Sequence, residues 1–366
     1  MLKPLLYLMV LLIAGGIQAQ ETPLRLGVAG LTHSHVHWIL GRKDHTDVKL
    51  VGIVEPNREL ALRYSKQHGF SMDIVFDNLD DLITNTQPQA VAAFGSIFQH
   101  LEVVETCAPK GIHVMVEKPL AVNLEHAQKM ELLAKKHNIV LLTNYETSWY
   151  PTNKRAYDLL HDGKVGELRK VVIRDGHKGP KKIGVNKEFL EWLTDPVLNG
   201  GGALMDFGCY GANLMTWLQR GEKPQSVTAI TQQLQAENNP NVDDDATIIL
   251  KYAKANATIQ ASWNWPIGRK DMEVYGEYGA IFADDRNNLR IRISEGYDGF
   301  DEETISLEER PAPYDDPFSL LAAVINKEIV LTPFSPYTLE NNMIVMEILQ
   351  AASESSKTAK TVFIRR

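Results

Sequence analysis

Residues 27–37 read GVAGLTHSHVH, Gly27 to His37, and this stretch decides how the first third of the chain is understood. The apolar run LRLGVAG from Leu24 has the makings of a short strand, and His35 to Gly41 begins a helical pattern. A second strand, VKLVGIVE, and an amphipathic helix, RELALRYSKQHG, follow and end at Gly69, so the whole is a β-α-β unit. Where a first strand turns into a helix at a glycine, a dinucleotide pyrophosphate can sit. The usual fingerprint there has three glycines, for the tight turn, for backbone approach and for helix–strand packing. Those positions hold Gly30, Thr32 and His35, so one of the three glycines remains. The second strand ends in Glu55, 25 residues after Gly30, where an acid accepts hydrogen bonds from an adenosine ribose. That favours NAD, while Arg58 nearby leaves NADP open. The stretch therefore reads as a dinucleotide site with a modified phosphate turn, in which Thr32 and the amides beside His33 replace the glycine contacts.

The same rhythm runs outward. SMDIVF, a helical LDDLITN, the strand QAVAAFG, a helix ending at Lys110-Gly111, the strand IHVMVEKP, a helix from Asn123 to His137 and the strand NIVLLTNY follow one another. Strands at this spacing with helices between them predict a Rossmann-like, doubly wound parallel sheet. Beyond about Tyr145 the pattern turns to period two, in LRKVVIRDGH, PQSVTAITQQLQ, ATIILKYAKANATIQASWNW, KDMEVYGEYGAIFADD and NLRIRISEG. A largely antiparallel open sheet is expected there. The helical segment LENNMIVMEILQAASESSKT precedes the tail VFIRR. The fold class is α/β, with a Rossmann domain over 24–144, a second α+β domain for substrate and oligomer contacts over 145–335, and a C-terminal helix and tail over 336–366.

With 366 residues, 44% of them apolar, the chain is long enough for two domains with full cores. Acidic residues outnumber basic ones 46 to 38 and no basic stripe with interleaved aromatics occurs, so nucleic acid is not an expected partner. The opening MLKPLLYLMVLLIAGGIQAQ has one cation, Lys3, an apolar run from Leu5 to Ile13, and small residues ending at Ala19. Residues 1–19 read as a secretory signal peptide cleaved near Ala19, giving an exported, periplasmic protein with no stable membrane anchor afterwards. Two cysteines, Cys107 and Cys209, imply no disulfide framework and are expected to be free and buried.

Three histidines in five residues, His33, His35 and His37, invite a metal reading. On a helix His33 and His37 share a face that His35 leaves, and no carboxylate or thiolate nearby in sequence completes a tetrahedral set. His33 and His35 are therefore expected to line the turn without a metal.

At Gly111 to Ala121, GIHVMVEKPLA, a buried-looking strand ends in Glu117-Lys118-Pro119, and here the chain resembles the glucose-fructose oxidoreductase, inositol dehydrogenase and MocA family. Other stretches agree: DNLDDLITNTQPQAVAAFGSIFQHLEVVETCAPKG, which contains Ser96 and His100, then GKVGELRKV, NGGGALMDFGCYGANLMTWL, VDDDATIILKY and VYGEYGAI. The resemblance implies a nicotinamide cofactor between a Rossmann domain and an open-sheet domain that often forms a homo-oligomer, and a sugar, cyclitol or related polyol as substrate. It implies that Ser96, His100 and Glu117 belong to the cofactor site, that Lys118 contacts the substrate hydroxyl, and that the bond before Pro119 is cis.

Removing hydride from an alcohol carbon needs an acceptor for the hydroxyl proton and a fixed donor beside the developing alkoxide. Lys118, Asp206 and Tyr210 can supply these, with Asp206 and Tyr210 on one face if a helix runs through both. Where many relatives carry histidine this chain has Tyr210, a poor free base unless Lys118 lowers its pKa, so the general base stays open. Trp149, Trp263 and Trp265 are divided between core and sugar stacking, and HKGPKKIG, residues 177–184, between a solvated loop and a contact for an acidic sugar. The first functional expectation is an NAD(P)-dependent oxidoreductase acting at a secondary carbinol. Alternatives are a redox-assisted glycosidase or lyase working through a transient keto-sugar, and a cofactor-free carbohydrate-binding protein on the same fold.

Overall fold

A computed structural model describes residues 22–43 and 46–364, so the signal-peptide reading lies outside the described residues. The first domain alternates strand and helix: β1 (Leu24–Ala29), α1 (Val36–Leu40), β2 (Val48–Val54), α2 (Arg58–His68), β3 (Val75–Phe76), α3 (Leu79–Thr86), β4 (Ala90–Ala93), α4 (His100–Cys107), β5 (His113–Glu117), α5 (Leu124–His137) and β6 (Leu141–Asn144). Its six strands lie in the order β3-β2-β1-β4-β5-β6, all parallel. The order reverses between β1 and β4, which is where ligands bind in open α/β sheets. The local chemistry is consistent with these elements. Asn57 and Asn123 cap α2 and α5 through the N–H groups of Leu60 and His126, and Gly69 and Asn138 end them in the left-handed region.

The second domain runs through α6 (Pro151–His161), β7 (Lys170–Gly176), α7 (Pro180–Ile183), α8 (Lys187–Leu193), α9 (Ala203–Asp206) and α10 (Gly208–Leu218). There follow β8 (Ser226–Gln232), β9 (Asp245–Lys251), β10 (Asn256–Ser262), β11 (Arg269–Tyr275), β12 (Gly279–Ala283), β13 (Asn288–Glu295) and β14 (Gly299–Ser306). The chain closes with α11 (Pro317–Ile325), α12 (Leu339–Thr358) and β15 (Val362–Phe363). The nine-stranded sheet has the order β14-β13-β12-β11-β7-β10-β9-β8-β15 and is antiparallel except between β7 and β10. Period two places Val171, Ile173 and Asp175 of β7 on the face buried against α10, where two of the three are ordinary core residues and the third is an acid.

Three details go beyond the periodicity. β14 pairs with β13 although GFDEETIS shows no apolar alternation; as an edge strand it meets Arg292 through Glu302, and only its Ile305 packs against the core. The tail strand β15 adds to β8, so Val362 and Phe363 extend the edge of the second sheet. Phe318 and Leu321 of α11 join the core packed on β1 and α2, so this helix lies with the Rossmann sheet, whereas α12 packs on α10, β8 and α5. Cys107 and Cys209 are free and buried, as their apolar settings predict.

Candidate active site between the two sheets

The dinucleotide side of the site begins at Gly30, whose φ is +85°. A Cβ there would lie 2.7 Å from the Gly95 nitrogen, so only glycine fits between β1 and β4. A cavity of about 300 Å³ opens beside it, lined by Gly30, Thr32, Glu55, Asn78, Gly95 and His100 among others. Glu55 is buried and accepts the N–H groups of Leu31 and Asn57, each at 2.9 Å, which fixes the carboxylate at the cavity wall. Burial raises its pKa against those two bonds. His100 is fully buried, and its Nδ1 must donate to the Leu120 carbonyl at 3.1 Å. Its Nε2 is thus a lone-pair acceptor with no partner among the described residues, and burial lowers the pKa to about 4, keeping the ring neutral. A cavity at the switch point, a glycine with no room for a side chain and an orphaned acceptor fit a dinucleotide.

The phosphate turn differs from the expectation in one respect. The His33 N–H donates to the Phe94 carbonyl at 2.9 Å, so it is not available to a phosphate. Among the described residues, the Thr32 and Ser34 N–H groups on either side of it have no protein acceptor. Thr32 Oγ1 accepts the indole N–H of Trp192 at 2.9 Å, and the Phe189 ring lies 4.7 Å from that of His33, so α8 of the second domain closes over the turn. Sequence reading missed Trp192; it stands seven residues before Asn199 in the glycine-rich stretch, and nothing in its spacing marks it. Ser96 is taken up in a local capping box with Gln99.

The histidines are resolved by Glu117 at the end of β5. Sequence proximity offered them no carboxylate, but the fold brings this one to them: His35 Nδ1 lies 3.0 Å and His33 Nε2 3.9 Å from Glu117 Oε2. Asn144, paired with Glu117 across β5 and β6, donates to Oε1 at 2.7 Å and is itself held by the Trp149 indole N–H. Burial alone would raise the Glu117 pKa; the two imidazoles and the bonds from His35 and Asn144 bring it down to about 2. The three groups do not suit a metal. Burial lowers the His33 pKa well below its ordinary value, and its Nδ1 accepts the His35 N–H at 3.1 Å, so the neutral ring must carry its proton on Nε2, the nitrogen that faces Glu117. A metal needs that lone pair free. His37 pairs with His68 at 2.8 Å instead and takes no part.

Lys118 and Asp206 meet across the domain boundary. The Lys118 ammonium contacts Asp206 Oδ1 and donates to the Asp206 carbonyl at 3.1 Å, while the Trp263 indole N–H donates to Oδ2 at 2.9 Å. Both ionisable groups are buried. Burial opposes each charge, yet the pairing raises the Lys118 pKa and lowers that of Asp206, so the pair stays ionised. The Lys118–Pro119 bond is cis. Asp206 is placed by the triple-glycine turn: at Gly202 a Cβ would fall 1.7 Å from the Asp243 carbonyl oxygen, and Asp243 accepts the Gly202 and Leu204 N–H groups. Asp206 and Tyr210 do not share one helix, since the chain breaks at Phe207 between α9 and α10. They converge nonetheless, with the Tyr210 ring centroid 5.3 Å from Lys118 Nζ and 5.0 Å from Lys270 Nζ. Burial, with Glu146, Cys209 and Asp206 around it, pushes the Tyr210 pKa well above 10, so the phenol keeps its proton.

A cleft of about 990 Å³ over the second sheet adjoins this group, walled by Glu146, Tyr150, His177, Phe207, Trp265 and Lys270 among others. Of the three tryptophans left open by the sequence, Trp149 and Trp263 are buried hydrogen-bond donors and Trp265 lines the cleft. Lys178, Lys181 and Lys182 of the cationic segment are exposed and line no part of it. Glu146 and Lys270 were not singled out; they are 124 residues apart and meet only in the fold.

Residues 24–145 match the family described as "Oxidoreductase family, NAD-binding Rossmann fold", and residues 153–282 match the GFO/IDH/MocA C-terminal domain. A trans-1,2-dihydrobenzene-1,2-diol dehydrogenase of Xenopus laevis is 31% identical over 219 residues, 59% of this chain and 61% of that protein. A D-xylose 1-dehydrogenase [NADP(+)] of Haloarcula marismortui is 24% identical over 270 residues, 72% of this chain and 71% of that protein. The chain thus spans about three fifths of the length of the dihydrodiol dehydrogenases it matches. Among solved structures, an aldose-aldose oxidoreductase from Caulobacter crescentus superposes with a TM-score of 0.74 at 23% identity, covering 93% of this chain and all of that one.

Proposed function

We propose, for a chain that belongs to the GFO/IDH/MocA oxidoreductase family, an NAD(P)-dependent enzyme that acts by hydride transfer at a secondary carbinol of a sugar, cyclitol or related polyol. The nicotinamide, when bound, takes or returns the hydride. Glu55 and the orphaned His100 Nε2 would hold the dinucleotide beside Gly30, with the Thr32 and Ser34 N–H groups toward its phosphates. Glu55, a carboxylate at the ribose position, supports NAD over NADP, since a 2′-phosphate would meet its charge.

The buried Lys118–Asp206 pair carries the reading. A polyol hydroxyl placed against it meets an ammonium that stabilises the developing alkoxide and a carboxylate able to take its proton. Tyr210 donates to the same oxygen, which fits its raised pKa. Glu117 keeps His33 and His35 in place behind the reacting carbon. Residues 1–19 support export, and exposed Ile230 and Ile249 on the open sheet support a second copy of the chain there.

The test is mass spectrometry of small molecules released on denaturing the native protein, followed by absorbance at the reduced-nicotinamide band with a polyol panel. Stoichiometric uptake of NAD or NADP with turnover lost in Lys118→Ala is expected. A protein that neither carries nor takes up a dinucleotide overturns the reading.

A further inference from the structure

The cleft next to Tyr210 contains a second ion pair that the reading above leaves without a task. The Lys270 ammonium contacts Glu146 Oε2, Glu146 Oε1 accepts the Tyr150 hydroxyl at 2.6 Å, and His35 Nε2 stands 3.9 Å from Oε2. Both side chains are partly open to the cleft, at 27% for Glu146 and 21% for Lys270. Lys118 and Lys270 flank the same Tyr210 ring, so a ligand whose reacting hydroxyl lies at Lys118 brings its neighbouring hydroxyls to Glu146 and Lys270.

Charge balance around the cleft says what that ligand can be. Every lysine and arginine lining it has its own carboxylate: Arg269, Arg286 and Arg290 sit on Asp271, Glu309 and Asp284, each at 2.6 Å, and Lys270 on Glu146. The remaining candidate cation, His177, is neutral: burial lowers its pKa, and its Nδ1 accepts the Gly179 N–H. An anionic ligand entering here finds no uncompensated positive charge and must break an existing pair to gain one. Neighbouring neutral hydroxyls instead donate to a fixed carboxylate and accept from a fixed ammonium at once. The Trp265 indole N–H, buried at the cleft wall without a partner among the described residues, adds a donor, and its ring an apolar plane for a C–H face.

We propose that Glu146 and Lys270 form a charge-neutral clamp for two adjacent hydroxyls of an uncharged polyol, and that the site rejects carboxylated and phosphorylated sugars. The inference rests on the polyol reading above and adds the substrate's charge class and two specificity residues.

The test reads binding rather than turnover, so it is separate from the question of hydride transfer. Full-length protein, with the dinucleotide it carries or with added NAD, is titrated by ligand-observed NMR. The neutral probes are D-glucose, D-xylose and myo-inositol; the anionic ones are D-glucuronate and D-glucose 6-phosphate. Wild type is expected to bind at least one neutral probe ten times more tightly than either anion. Glu146→Gln frees the Lys270 charge, so the neutral probe weakens at least tenfold while D-glucuronate tightens at least tenfold. Lys270→Met weakens the neutral probe without any gain for the anions. Overturning results are an anion preferred by wild type, no neutral probe bound, or Glu146→Gln weakening all probes alike. Lys270→Met provides the same check should Glu146→Gln fail to fold.

Discussion

Replacing Glu117 by glutamine tests the buried network that joins the turn after β1 to the ends of β5 and β6. The carboxylate is 1% exposed and titrates at about 2 against an ordinary value of 4.5. A depressed carboxylate pKa contributes stability above the unfolded value, and this is lost as pH falls through the folded value. That lowering corresponds to about 3 kcal/mol at pH 7, falling to about 1 kcal/mol at pH 3. Glutamine also presents N–H to one of two donors, His35 or Asn144, leaving a buried donor unmade at a cost in the same range of about 1–3 kcal/mol. Glu117→Gln should therefore lower the urea-unfolding free energy, followed by tryptophan fluorescence, by about 3 kcal/mol or somewhat more at pH 7. The gap to wild type should narrow steadily between pH 4.5 and 3. A gap under about 1 kcal/mol at pH 7, or one that does not respond to acid, refutes the assignment of an ionised Glu117 held by both histidines.

Other outcomes follow from single contacts. Gly30→Ala imposes a Cβ at φ +85° against the Gly95 backbone and should cost about 2–4 kcal/mol in urea unfolding while abolishing dinucleotide uptake. Tyr210→Phe removes a hydroxyl that makes no hydrogen bond among the described residues, so the unfolding midpoint should hold while turnover on the substrate falls at least about tenfold. Burial pushes both cysteine thiols up to about 12, so neither Cys107 nor Cys209 should react with iodoacetamide at pH 8 until the chain is unfolded.

The two sheets were legible because their strands carry period-two or continuously apolar runs, and the parallel order follows once helices are seen between them. β14 was not, since DEET puts acid on both faces and its place at the edge asks for no apolar one. Lys118 and Asp206 could be paired only through motifs, because 88 residues separate them. The tethering of His33 and His35 by Glu117, more than 80 residues away, leaves no trace in local spacing, and neither does the meeting of Glu146 with Lys270. Chemistry-bearing residues are named by their types, but who neutralises whom is decided by the sheet order and by the second domain closing on the first.

That closure also accounts for the missing glycines. The third glycine of the fingerprint serves close packing of helix on strand, a need that lapses where the helix is short. Here α1 covers only Val36–Leu40, and His35 precedes it as an N-cap residue whose side chain makes no capping bond. It is free to leave the sheet, stack on Trp38 at 3.9 Å and donate to Glu117. Thr32, at the second position, accepts the indole N–H of Trp192 from the other domain. Both residues thus tie the turn after β1 to other elements, His35 to Glu117 at the end of β5 and Thr32 to Trp192 of α8. Restoring glycine at position 35 should accordingly loosen Glu117 rather than improve the turn, seen as a rise of its pKa toward 4.5 and a loss of stability at pH 7 that acid erases.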